Sequence, residues 1–430
     1  YYASRGLGDV YKRQIVYYTM IEKTIIFIRR DFVEEKEKSV ICWPLIGLLL
    51  LLCFISCLGI KSATPLITKG NPSGYWIKQL MFYGISFILM FIVYKVSNDR
   101  IYSSMWIIYG ILMVLLVGLA IDHFAFTRFG IHIVPLAKWV GGATSWYNLK
   151  VFDLQPSEFM KIIMVVVMAD TVDKHNNRYL VHNIHNDCLL IGKLLAISLP
   201  PCILVYLQND AGVTMIMLAS VVFVIFMSGI QAGWFIIGGI VVAIILGIGV
   251  YLFLYQHDIF ASLMGGDHKL NRFYGWVDPE GTYNDQGFQL FNAMLSYGTA
   301  GLWGHGMGTA IINLPEAQTD FIFAVIALGF GFVGGGFTIA VVCVLDALLI
   351  RIGFKSKNNR DKYLTAGIFG LLIFQQVWNI GMVLGLFPIT GITLPFLSYG
   401  GSSLLSYMIA MGIFLDMERQ TRILEGKKRY

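Results

Sequence analysis

Ten stretches of this chain are apolar for long enough to cross a bilayer: residues 40–60, 79–96, 102–121, 157–172, 190–207, 211–229, 234–256, 321–350, 364–387 and 399–416. Hydrocarbon offers no water to backbone N–H and C=O groups, so runs of this length must close their own hydrogen bonds as helices. A closed β-barrel would need short alternating segments, which are absent. Composition agrees, with 57% of the residues hydrophobic and only 13% charged, about half the charged share of a soluble domain. The expected fold is all-α: a polytopic integral membrane protein of about ten transmembrane helices, with a large extracytoplasmic loop between helices 7 and 8. The six cysteines show no CxxC or Cys/His spacing and read as packing residues, which removes a disulfide scaffold or structural zinc site from consideration.

Basic residues set the orientation. Arg29, Arg30, Lys36 and Lys38 precede the first stretch, Lys355, Lys357, Arg360 and Lys362 separate two later ones, and Lys427, Lys428 and Arg429 end the chain. The positive-inside rule then places both termini in the cytoplasm and puts residues 61–78, 122–156 and 257–320 outside. The chain divides into a cytoplasmic N-terminal segment, 1–39, a transmembrane domain, 40–416, and a basic cytoplasmic tail, 417–430. Residues 1–14 (YYASRGLGDVYKRQ) resemble nothing downstream and are read as foreign to the protein. The stretch 40–60 follows too long a leader to be a cleavable signal peptide and reads as an anchor.

The segment 257–320 carries the most information. Against Lys269 and Arg272 it sets Asp258, Asp267, Asp278, Glu280, Asp285, Glu316 and Asp320, among many aromatics and glycines. It is too long for a plain connector and too aromatic for disorder. Together with WVGG and QPSEFMK at 139–161, QNDAGVT at 208–214, RFYGWVDP…GFQ at 272–289, GLWGHGMG at 301–308, LPEAQTDFIFAV at 314–325 and NIGMVLGLFPITGITLPFLSYGGSS at 379–403, it resembles the SEDS family of RodA, FtsW and SpoVE type. The blocks follow the family's order and spacing from about residue 40 to the end.

The resemblance implies a peptidoglycan glycosyltransferase that polymerises lipid II on the outer face of the bacterial cytoplasmic membrane, beside a class B penicillin-binding protein that crosslinks the strands. That chemistry needs a base for a sugar hydroxyl, and positive charge where the polyprenyl pyrophosphate departs. Laid on the family pattern without gaps, the position of its essential aspartate falls on Thr282, which cannot act as a base at neutral pH. The neighbouring carboxylates Asp285, Asp278 and Glu280 are the candidates, in that order of preference for the first two, against solvation of the loop as an equal alternative. A second departure places Leu328 and Gly329 where the family has two glutamates.

Glu158 and Lys161 are spaced i, i+3 and can pair on one helix face, either to fix packing or to serve a site. Lys161 and Lys138 are the candidates for the pyrophosphate, with Arg272 and Gln289 from the RFYGWVDP…GFQ block also assigned to substrate. Trp139 and Trp146 read as interface-belt aromatics or as surfaces for sugar stacking. A divalent cation, Mg²⁺ or Mn²⁺, is expected from the chemistry alone. Asp210 suits a helix cap or a site. Gln375, Gln376 and Asn379 suit interhelical hydrogen bonds. The GHGMG run follows no strand, so no nucleotide is expected, and nothing points to nucleic acid; the contacts expected are lipid II, membrane lipids and the crosslinking partner. Two other functions stay in play, a flippase for lipid-linked precursor and a catalytically inactive scaffold of the cell-wall synthesis complex. The acids gather outside and few charges lie at mid-membrane, which favours the enzyme.

Overall fold

The computed structural model describes residues 41–67, 74–149, 152–256, 259–260 and 267–427. The N-terminal segment 1–39, including residues 1–14, and the last three residues of the basic tail lie outside the described residues. Twelve α-helices follow in chain order among the described residues: α1 Trp43–Ala63, α2 Tyr75–Val96, α3 Asn98–Phe129, α4 Pro156–Arg178, α5 Ile184–Leu207, α6 Ala211–Met227, α7 Gly233–Tyr255, α8 Asp267–Val277, α9 Phe288–Ala300, α10 Ile322–Lys355, α11 Asn359–Val383 and α12 Gly401–Lys427. Each of the ten apolar stretches falls on one of these helices. Seven (α1, α2, α3, α5, α7, α10 and α11) are long and apolar enough to cross a membrane, and α6 is a shorter apolar helix.

The two remaining stretches, α4 and α12, are the least apolar and the most enclosed. Residues Met160 to Ala169 of α4 are all buried, and Tyr407, Met408, Met411, Phe414 and Met417 of α12 join them in the core. A helix surface facing lipid must be apolar, whereas an enclosed one can carry charge if partners are built around it. α7 is the opposite case: it buries none of its residues and is apolar on every face.

One part of the chain departs from the all-α expectation. The segment between α3 and α4 holds three strands, β1 Ala137–Val140, β2 Ala143–Asn148 and β3 Asp153–Leu154, joined as an antiparallel sheet in the order β1-β2-β3. Val140 faces Ala143 across a two-residue turn in which Gly141 and Gly142 both have positive φ, the conformation that two-residue hairpins demand. The Gly-Gly pair flanked by Trp139, Val140, Thr144 and Trp146 was the signal for this hairpin.

The chain between α11 and α12 enters the bundle without helical structure. Its backbone carbonyls are met by side chains of the first two helices: Ser56 Oγ donates to Leu397 O at 2.8 Å, Gln79 Nε2 to Ser398 O at 3.2 Å, and the Tyr83 hydroxyl to Phe396 O. Irregular backbone at this depth persists only when enclosed and satisfied in this way. The backbone around Pro395 is therefore a buried, hydrogen-bonded loop.

Candidate functional site

A cavity of about 1550 Å³ opens at the end of the bundle that carries the sheet, α8 and α9. Its wall combines β2, the start of α4, the α5–α6 turn, α8, the 316–320 turn, the 388–400 loop and the first turn of α12. α8 is held over it by Trp276, whose indole N–H donates to Gly385 O at 2.9 Å.

The carboxylates on the wall are Asp153, Glu158, Asp210, Glu316 and Asp320, and the cations among the described lining residues are Lys78 and Arg272. Glu158 pairs with Lys161 at 2.7 Å, one helical turn apart as the sequence spacing suggested. Lys161 is fully buried behind the wall, 4.6 Å from the centre of the Tyr407 ring, so its charge stays with Glu158 and the aromatic face. Asp210 caps α6 by accepting from Val213 N at 3.2 Å and also accepts from Gln155 Nε2 at 3.0 Å. It thus does both things its position allowed, capping a helix and lining the cavity. Burial, with the Glu158 charge adding to it, pushes its carboxyl up to about 6.

Asp320 ends the 316–320 turn just before α10. Burial raises its pKa most and the neighbouring Glu316 raises it further; Arg272 and the Thr319 hydroxyl work the other way, leaving it at about 7. A carboxylate held there takes a proton efficiently near neutral pH. The sequence lists Asp320 among seven acids without distinguishing it, because its enclosure comes from the distant 388–400 loop folding back over it.

The residues selected from sequence divide into two groups. Arg272, Gln289, Glu158 and Trp146 all line the cavity. Asp278, Glu280 and Asp285 stand exposed on the turn between α8 and α9, apart from the lining residues. There Asp278 Oδ1 accepts from Gly281 N at 2.9 Å, Asp285 Oδ1 accepts from Gln286 Nε2 at 3.0 Å, and the Thr282 hydroxyl donates to Asp278 O at 2.6 Å. Lys138 lies on β1, paired with Asp153 at 2.6 Å, and Trp139 stacks on His123 with ring centres 5.2 Å apart; neither lines the cavity. Lys78 was missed because a lysine in the first turn of an apolar helix looks like an interface anchor.

Leu328 and Gly329 also take on a backbone role. α10 breaks at Gly331 (φ 65°, ψ −160°), and the freed carbonyls of Leu328 and Gly329 accept from His305 N at 2.9 Å and Gly306 N at 3.0 Å. The GHGMG run is thus pinned against the helix break. No group of three or more His, Cys, Asp or Glu side chains among the described residues could hold a metal ion. The divalent cation expected from the chemistry finds no such ligand set among the described residues.

Comparison with known proteins places this arrangement. Stage V sporulation protein E of Bacillus subtilis is 29% identical over 387 residues, covering 88% of this chain and 97% of that protein. A protein named probable peptidoglycan glycosyltransferase FtsW, from Dichelobacter nodosus, is 29% identical over 416 residues, covering 93% and 97%. A solved chain from a peptidoglycan synthase complex, studied for its coordination of polymerization and crosslinking, superposes with a TM-score of 0.69 at 23% identity over 89% of this chain and 99% of its own. The family profile described as cell cycle protein, of FtsW/RodA/SpoVE type, matches residues 37–423, and with nine-tenths of its length inside that match the chain belongs to this family.

Proposed function

We propose that the protein is a peptidoglycan glycosyltransferase that polymerises lipid II at the outer face of the bacterial cytoplasmic membrane. The observation that carries the reading is a large cavity at one end of a membrane bundle, in which a half-buried carboxyl poised near neutral pH shares the wall with two cations. A membrane-tethered sugar can enter such a mouth while its polyprenyl chain stays in lipid. Asp320 takes the proton of the acceptor sugar hydroxyl, whose oxygen attacks the anomeric carbon of the donor sugar. The bond from that carbon to the pyrophosphate breaks, and its electron pair leaves with the polyprenyl pyrophosphate, whose charge Arg272 and Lys78 are placed to meet.

The Lys/Arg distribution supports ten crossings, with both termini cytoplasmic and the 257–320 segment outside, between the seventh and eighth. The solved relative belongs to a complex that polymerises and crosslinks, and this supports a class B penicillin-binding protein as partner here. A flippase would place its ionisable groups on a path through mid-membrane, whereas the cavity acids gather at one end.

The test uses purified full-length protein with its partner, labelled lipid II, and Asp320→Asn beside Asp278→Ala, Glu280→Ala and Asp285→Ala. Asp320→Asn is expected to lose about 10²–10⁴-fold in rate, with the three turn variants near wild type. Absence of glycan polymer from the unmodified complex would remove the enzyme reading. A silent Asp320→Asn alongside an inactive Asp285→Ala or Asp278→Ala would return the base to the α8–α9 turn.

A further inference from the structure

Two segments of the cavity wall that are far apart in sequence meet at one buried amide. Asn379, fully buried in α11, donates from its Nδ2 to Asp320 O at 2.8 Å and to Ile392 O at 2.7 Å. The carboxyl of Asp320 lies beside the second segment, where a β-carbon on Gly391 would stand 3.4 Å from Asp320 Oδ2. Two further bonds tie the same turn to the loop: Ser398 Oγ donates to Thr319 O at 2.7 Å and Tyr399 N to Gln318 O at 2.9 Å. These secure the residues before Asp320, and among the described residues Asn379 alone reaches the carbonyl of Asp320 itself.

We infer that Asn379 is a positioning residue: its amide clamps the Asp320 backbone to the 388–394 wall and so fixes where the base meets the acceptor hydroxyl. The inference rests on the polymerase reading of the same cavity. Asn379 does not line the cavity and touches no substrate. Without its two N–H donors the carbonyls of Asp320 and Ile392 compete for no common partner, and the carboxyl can drift from the loop. A displacement of about 1 Å costs rate far more than affinity, because the substrate is still bound but no longer aligned.

The experiment measures polymerisation by the full-length protein with its partner for wild type, Asn379→Leu and the milder Asn379→Ser, which keeps one donor. Hydrogen–deuterium exchange over residues 314–321 and 388–394 is followed on the same samples. Asn379→Leu should lower kcat by about tenfold or more with KM within about twofold, and should speed exchange in both segments; Asn379→Ser should fall between. Wild-type kcat in a folded variant, or unchanged exchange in both segments, overturns the proposal, as does a rate loss that only follows the folded fraction. Asp320→Asn run in parallel separates the two ideas. If it polymerises normally the base assignment fails, and the exchange data alone then decide whether the clamp exists.

Discussion

The strongest test of the site is the opposite displacement of one titration by two neighbours of opposite charge. Asp320 acts as base only when ionised, so kcat/KM should rise with pH through a limb centred near its value of about 7 and flatten above it. Burial is the largest cause of that elevation above the ordinary carboxylate range. Glu316 and Arg272 therefore adjust the position of the limb without creating it. Removing one close charge from a partly enclosed pair moves a neighbour by about one unit. Glu316→Gln removes a repulsion and should bring the limb down toward about 6, whereas Arg272→Gln removes an attraction and should lift it toward about 8. At about pH 6.5 the ionised fraction, and with it the rate relative to each variant's own plateau, is then about threefold higher than wild type in Glu316→Gln and about eightfold lower in Arg272→Gln, with both differences shrinking above the limb. Initial rates of labelled lipid II polymerisation at low substrate give kcat/KM across pH, and the position of each limb is independent of any uniform loss of binding that Arg272→Gln also causes. Limbs that move in the same direction, or a limb that stays when Asp320 is replaced by Asn, would refute the assignment.

Three other perturbations probe the frame around the site. Lys161→Met leaves the Glu158 carboxylate enclosed without its partner and should destabilise the protein by about 3–5 kcal/mol, while the double change Glu158→Gln with Lys161→Met should cost less than the single one; thermal unfolding in detergent measures both. Gly331→Ala drives a β-carbon into the backbone of Leu302 and Gly304 at a residue with φ 65°, so the protein should lose thermal stability and the 301–306 segment should exchange faster. Trp276→Phe keeps an aromatic ring but drops the bond to Gly385 O, a loss of about 1 kcal/mol, read as faster amide exchange in α8.

The bundle was legible in the sequence because lipid imposes a simple rule: the side of a helix that faces hydrocarbon must be apolar. α7 obeys it completely and could be read from composition alone. The Glu158–Lys161 pair was legible for a related reason, since two opposite charges one turn apart in an otherwise apolar run can only survive together. The sheet was not, because strands of two to six residues leave little periodicity, and only the Gly141–Gly142 turn advertised them. With the sheet missed, the pairing of Lys138 with Asp153 was missed too, for that contact exists only once β1, β2 and β3 are laid side by side.

The acids show most clearly where local reading ends. Asp278, Asp285 and Asp320 have the same chemistry and similar neighbours in sequence, yet two are exposed on a turn and the third is enclosed. The difference comes from a loop some seventy residues further on, whose own backbone is held in place by Ser56, Gln79 and Asn379. Each of these is a polar residue in an apolar helix, and each can be explained singly as helix packing. Their shared target is what gives them a function: they hold irregular backbone deep in the bundle, and that backbone is what shields Asp320 from water. In a membrane protein of this kind the isolated polar residues of the spans are therefore a better guide to the site than the abundant acids of the loops, because a polar group in hydrocarbon persists only where something irregular needs it.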